Sequence, residues 1–242
     1  MFYEEIGEGN PLLLLLHGNT ASSKLFSGIV SRYTDLYKVI LVDFIGYGQS
    51  ERVEKLEEDL WYDQAMQVCA FLGERNYGPV NLIGTSGGAL TAINVALEHP
   101  ELVRRSIADS FAGEHADSSI TEILIKGREA SKQNPGARMF YEMMNGYGWE
   151  KVVDVDTEAV ISHAKNVVEF FHKSISELKI EILFTGSQKD DMFPSGHYER
   201  LFGDILAKTN NAHQFIFDEG SHPAMISNSS EFVCLSKELF KN

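Results

Sequence analysis

The sequence predicts an α/β protein: a doubly wound, mostly parallel sheet with a helical lid inserted before the last two strands. Three observations predict it. The run at 12–16 is five consecutive leucines, the pattern of a strand buried on both faces rather than one. Segments of strand length then alternate with segments of helical periodicity, the arrangement that builds parallel sheets covered by helices. The alternation breaks between 111 and 178, where only helical patterns occur, and resumes after it.

Taken in order, 2–6 reads as a short edge strand, followed by a turn at Gly7-Glu8-Gly9-Asn10-Pro11 and the strand 12–16. His17-Gly18-Asn19-Thr20-Ala21 leads into a helix expected from about 22 to 33. A strand at 37–42 ends in the glycine-punctuated loop 43–50. The segment 59–76 is an amphipathic helix with Leu60, Met66, Cys69, Ala70 and Leu72 expected to face inward. A strand at 80–83 and a helix at 89–97 follow, the helix stopped by His99-Pro100. The strand 103–108 closes with Asp109-Ser110. Helices are expected at 119–132, 137–144 and 157–173, separated by Asn134-Pro135-Gly136 and Asn145-Gly146-Tyr147-Gly148. A strand at 180–184, a helix at 195–208, a strand at 213–217 and a helix at 229–240 complete the chain. The division expected is a core of 1–110 and 179–242 with 111–178 as the lid.

With 242 residues, 43% hydrophobic and 23% charged, the chain is long enough for one large domain with a full core. A net charge of −14 argues against nucleic acid or an anionic membrane as partner. It also weighs, weakly, against anionic substrates, because local potential matters more than net charge. The partner expected is a small-molecule substrate, and the protein a monomer or homodimer. Cys69 and Cys234 both fall in apolar helical stretches and read as buried, reduced thiols. An acidic N-terminus and no long apolar run make the cytoplasm the expected compartment. No histidine pair has metal-ligand spacing and neither cysteine has ligand neighbours, so no metal and no cofactor is expected.

The chemistry centres on Gly84-Thr85-Ser86-Gly87-Gly88, set between a strand and a helix. A strand ending in Gly-x-Ser-x-Gly that feeds straight into a helix is a nucleophile elbow. The turn is sharp enough to strain the serine backbone, and Gly84 and Gly88 sit too close to their surroundings for a Cβ. The serine hydroxyl is thereby held clear of the surface, with the Gly87 N–H at a helix N-terminus beside it. A bare GxSxG also occurs in ordinary Gly/Ser-rich loops, so its context carries the reading.

That context is supplied by His17-Gly18 after the first long strand, Asp43 with Gly46, Gly48 and Ser50, the elbow around Ser86, the turn ending at Pro194, and Gly220-Ser221-His222-Pro223. In this order they resemble the α/β-hydrolase fold family over essentially the whole chain. The resemblance implies Ser86 as nucleophile, His222 as general base and then acid, and an aspartate in the 185–194 turn as the orienting carboxylate. It implies an oxyanion hole from the N–H groups of Gly87 and Asn19. Family turns place the acid four residues before a proline, which favours Asp190, with Asp191 as the neighbouring alternative and Asp109 as a minor one. Asp109 otherwise reads as a solvated or helix-capping residue. His17 and Asp43 read as structural, and the remaining histidines as surface, capping or core residues.

The lid carries Phe140, Tyr141, Met143, Met144, Tyr147, Trp149, Phe170 and Phe171. About a third of these are expected to touch a ligand, the rest to pack the lid onto the body. Met144, with Met192 and Phe193 beside the acid turn, are the substrate-binding candidates. The leading functional reading is a serine hydrolase of small to medium apolar esters acting through an acyl-enzyme. Alternatives on the same fold are C–C bond hydrolysis, lactonase, thioesterase or proline iminopeptidase activity. A ligand-binding, receptor-like protein with slow turnover is the alternative of a different class.

Overall fold

The computed structural model describes residues 1–241. Strand β1 (Phe2–Ile6) is followed by β2 (Leu12–Leu16) and β3 (Lys38–Asp43). Helix α1 (Leu60–Glu74), β4 (Val80–Thr85), α2 (Gly87–Glu98) and β5 (Val103–Asp109) come next. Three helices, α3 (Ser118–Gln133), α4 (Pro135–Asn145) and α5 (Trp149–Asn166), separate β5 from β6 (Glu181–Ser187). The chain ends with α6 (His197–Leu206), β7 (Ala212–Phe217), α7 (Ala224–Ser227) and α8 (Ser229–Lys241). The seven strands form one sheet in the order β1-β3-β2-β4-β5-β6-β7, antiparallel only between β1 and β3.

The leucine run shows how the sheet is buried. Successive side chains on a strand point to opposite faces. Leu14 and Leu16 therefore join the core under α1, α2 and α6, while Leu13 and Leu15 join the core shared with Phe26, Tyr33 and α8. All four are 0% exposed, and each contributes about 1.5–3 kcal/mol on burial. Parallel strands also end on one edge. His17, Ser86, Asp109, Asp190 and His222 all lie at or just beyond the C-terminal ends of β2, β4, β5, β6 and β7, the edge where open α/β sheets hold ligands.

Several expectations are corrected. The helix expected at 22–33 is two 3₁₀ turns, Ser23–Phe26 and Val30–Arg32, joined by a turn at Ser27-Gly28. The Ser23 N–H donates to Asp43 and the Ser22 hydroxyl to the Met144 carbonyl, so this end of the segment is tied to other elements. Helix α5 begins and ends earlier than expected from 157–173. Its inward stripe of Trp149, Val152, Val153, Asp156, Val160 and His163 keeps helical spacing despite the β-branched valines, and burial of that face outweighs propensity. It ends at Asn166 because Val168 takes φ 71° and the chain turns back to pair with 114–116. On α1, Met66 is only half-buried and Ala70 is exposed; Trp61, Ala65, Val68 and Phe71 face inward instead. The moment read from the sequence was rotated because Trp61 and Gln64 bury toward α2 and the insertion. Cys69 is buried, its thiol pushed up to about 12 by burial, whereas Cys234 is exposed on the outer face of α8; both are free. Among the described residues no helix is long and apolar enough to cross a membrane.

The elbow explains two glycines by space. A Cβ on Gly84 would lie 2.0 Å from the Gly88 carbonyl oxygen, and one on Gly88 would lie 2.4 Å from the Leu16 carbonyl oxygen. Backbone cannot yield as a side-chain tip can. Gly84→Ala is expected to cost about 3 kcal/mol, the upper end for overpacking, read as a drop in the urea midpoint. An unchanged midpoint would show that β4 and α2 pack less tightly than these distances require.

Candidate active site

Ser86 sits between β4 and α2 with φ 55° and ψ −124°, a conformation that only a tightly constrained residue holds. Its N–H donates to the Asp109 carbonyl at 2.7 Å, which continues the β4–β5 ladder one residue past the strand and fixes the turn. The half-buried hydroxyl projects into a cavity of about 680 Å³ bounded by the strand ends and by α3, α4 and α5.

His222 brings its Nε2 to 3.0 Å from Ser86 Oγ, and its Nδ1 to 2.9 Å from Asp190 Oδ2. The acceptor-only carboxylate fixes the tautomer: Nδ1 carries the proton and Nε2 is left to accept from the serine. Asp190 also receives the Tyr198 hydroxyl at 2.7 Å on Oδ2 and the Met192 N–H at 2.9 Å on Oδ1. Burial alone would push its carboxyl up. The hydrogen bond and charge of His222, with the donors Tyr198 and Met192, outweigh that and hold it below the ordinary aspartate value. Burial and the neighbouring carboxylate push the Tyr198 phenol well above its usual range, so it remains a donor. Asp191 is exposed at the rim of the cavity and does not reach the imidazole network.

The main-chain N–H groups of Asn19 and Gly87 have no partner among the described residues, and both residues line the cavity beside Ser86. Asn19 is held from two sides. Its Oδ1 accepts from Trp61 Nε1 at 3.2 Å and its Nδ2 donates to Asp156 Oδ2 at 2.8 Å. A Cβ on Gly87 would meet Asn19 Oδ1 at 1.9 Å, so glycine there lets the loop lie against the elbow. His17 supports the loop from beneath. The Phe44 N–H donates to its Nε2 at 3.2 Å, which leaves Nδ1 to donate to the Gly18 carbonyl at 2.8 Å. Burial lowers its pKa, consistent with a neutral ring. Asp43 is structural as expected, accepting from the N–H groups of Ser23 and Gln49.

Two site expectations are corrected. Met144 does not line the cavity: it is 1% exposed and packs against Ser22, because the inward face of α4 turns it toward the 3₁₀ segment. Met192 and Phe193 do line the cavity, and the Phe193 ring lies edge-on to His222 with centroids 5.8 Å apart. Of the aromatic and methionine side chains singled out in 111–178, Phe140, Tyr141 and Phe170 reach it, while Met143 and Tyr147 are exposed. Asp109 is not solvated, and the imidazole hydrogen-bonds to Asp190 rather than to it. It is 0% exposed and accepts from Thr85 Oγ1, Thr185 Oγ1 and the Met225 N–H, clamping β4, β6 and α7 together.

Burial pushes the Asp109 carboxyl above its usual value, with the three donors opposing it. A carboxyl raised in the folded state favours folding when protonated, so its contribution is present below the unfolded value of about 3.9 and is lost as pH rises through the folded one. Asp109→Asn, which keeps hydrogen-bonding capacity without the charge, is therefore expected to gain stability relative to the parent as pH rises from about 4.5 to 7.5, by about 1.4 kcal/mol per unit of displacement. Urea melts across that range check it; a difference that is flat or shrinks with pH would contradict it.

The sequence reading missed the polar groups behind the site. Asp156 and Tyr198 carried a legible signal, each bringing a polar group to the mostly apolar stripe of an amphipathic helix. Arg128 carried less, since it continues the Ile120, Ile123 and Leu124 stripe of α3 by one turn, where a charged residue ordinarily marks the end of an apolar face.

Comparison with known proteins agrees with this architecture. The family described as alpha/beta hydrolase fold matches residues 11–129. The mouse (Mus musculus) protein named Serine hydrolase BPHL is 25% identical over 100% of this chain and 83% of its own length. Pimeloyl-[acyl-carrier protein] methyl ester esterase of Aeromonas hydrophila is 39% identical, but only over 40% of this chain and 36% of its own length. Among solved structures, the enol-lactonase from Burkholderia xenovorans LB400 superposes with a TM-score of 0.78 at 16% identity, covering 100% of this chain and 96% of that one. At such identity the likeness establishes the fold and leaves the substrate open.

Proposed function

The chain belongs to the α/β-hydrolase fold family, and we propose that within it the protein is a serine hydrolase of carboxylic esters, with Ser86 as nucleophile, His222 as base and acid, and Asp190 as the orienting carboxylate. The observation that carries this is the pair of hydrogen bonds, 3.0 Å from His222 to Ser86 and 2.9 Å from His222 to Asp190, on a serine held at positive φ inside a cavity. Ser86 Oγ attacks the ester carbonyl as His222 Nε2 takes its proton. The oxyanion is received by the N–H groups of Asn19 and Gly87. His222 returns the proton to the departing alkoxide, and the same groups then activate water against the acyl-enzyme. Asp190 remains ionised throughout and stabilises the imidazolium.

The residues 111–178 act as the lid over Ser86, and the aromatic and aliphatic walls they share with Trp61, Leu90 and Phe111 suit an apolar acyl group of small to medium size. Two free thiols fit a reducing compartment, which supports the cytoplasm. The methyl ester esterase among the relatives points the same way on reaction class. Labelling with a fluorophosphonate, with the modified peptide mapped by mass spectrometry, tests the reading. The adduct is expected on Ser86, with turnover of p-nitrophenyl esters of short acyl chains. Folded protein that takes no label and turns over no ester would reject it.

A further inference from the structure

Helix α3 buries a single residue, and it is an arginine. Arg128 is 7% exposed and is the one lysine or arginine among the described residues lining the cavity. One end of its guanidinium is engaged: Nη1 lies 2.5 Å from Asp156 Oδ1 and donates to Thr157 Oγ1 at 3.0 Å. Among the described residues Nε and Nη2 have no acceptor, yet neither belongs to the polar atoms sealed away without a partner. With Arg128 in the cavity wall, that edge opens onto the cavity. There is room beside it, since a Cβ on the adjacent Gly127 would meet nothing within 4 Å.

Among the described residues no protein acceptor answers the Nε–Nη2 edge, so an acceptor on a ligand in the cavity can take it at no cost in protein hydrogen bonds. The Nε–Nη2 edge presents two parallel donors, the geometry that matches a carboxylate. Asp156 pairs with this charge at Nη1 and is held there by Asn19 Nδ2 and by the Tyr47 hydroxyl at 2.5 Å, so what the cavity is offered is the directional Nε–Nη2 edge rather than an uncompensated charge. The other charged side chains on the cavity wall, Asp117 and Asp191, are exposed and screened by solvent. The rest of the wall is mostly apolar.

We propose that Arg128 anchors a carboxylate on the substrate, so that the preferred ester has an apolar acyl chain ending in a carboxylate, the half-ester of a dicarboxylic acid. This rests on the hydrolase reading for the ester, while the anchor itself rests only on Arg128 and the cavity. The net charge of −14 opposes such a substrate at long range, but the directional donors on the Nε–Nη2 edge of Arg128 govern at contact.

The test is calorimetric binding to the Ser86→Ala protein at neutral pH, so that no turnover is required. Monomethyl esters of the dicarboxylic acids from succinate to suberate are compared with the matching dimethyl esters. The half-ester of best length is expected to bind at least about tenfold more tightly, the scale of a charge-assisted hydrogen bond. Arg128→Gln should erase the difference, and Arg128→Lys, with charge but no fork, should restore part of it. Equal or weaker binding of every half-ester overturns the proposal, and this comparison decides even where Arg128→Gln does not fold. The two readings fail separately. Half-ester preference without fluorophosphonate labelling of Ser86 in the parent protein keeps the anchor and discards the reaction. Labelling and ester turnover without half-ester preference do the reverse.

Discussion

Replacing Ser86 with alanine is expected to lower ester turnover by at least about 10⁴-fold while leaving the fold in place. The hydroxyl makes one side-chain hydrogen bond among the described residues, at 3.0 Å to His222, and it faces the cavity, so its loss takes away the proposed nucleophile without leaving a void in the core. The backbone conformation at 86 is set by Gly84, Gly88 and the N–H bond to Asp109, none of which involves the side chain. Alanine suffers the same strain at φ 55° as serine. Glycine does not, and Ser86→Gly is expected to be more stable than the parent by about 1 kcal/mol. Steady-state rates on a p-nitrophenyl ester and urea melts of the three proteins check both statements. Residual ester hydrolysis near the parent rate would place the nucleophile elsewhere.

Asp190→Asn is expected to lower kcat by about 10³–10⁴-fold, with little change in KM. An asparagine amide facing His222 Nδ1 would donate where the carboxylate accepts, and would favour the tautomer whose Nε2 carries a proton and cannot take one from Ser86. Asp191→Asn, at an exposed position on the rim, is expected to change turnover by about twofold at most. The adjacent pair thus forms an internal control, because both variants lose one charge from the same turn. A larger loss at 191 than at 190 would move the acid by one residue and contradict the observed hydrogen bonds.

The elements most legible in the sequence were those set by local rules. The leucine run, the elbow glycines and the histidine after β7 each follow from strand burial, steric exclusion or a motif in its proper context. The elements misread were those decided by distant partners. Residues 22–33 have apolar spacing suited to a helix, yet they are tied to Asp43 and to α4, and the chain takes two 3₁₀ turns. The valines around Asp156 obscured the start of α5 until its buried face was known. Met144 looked like a pocket residue from composition alone, and the orientation of α4 turned it away.

By itself the sequence determined the order of strands and helices, the helical stretch between β5 and β6, and the placing of Ser86 and His222 beyond strand ends, because hydrophobic period and steric demand at glycine are properties of neighbouring residues. Only the tertiary structure set Asp190, and not Asp191, against the His222 imidazole, turned Asp109 into a clamp, and set Arg128 against Asp156 in the cavity wall. Those outcomes depend on which donors from remote segments meet a carboxylate once water is excluded, and no local pattern encodes that meeting.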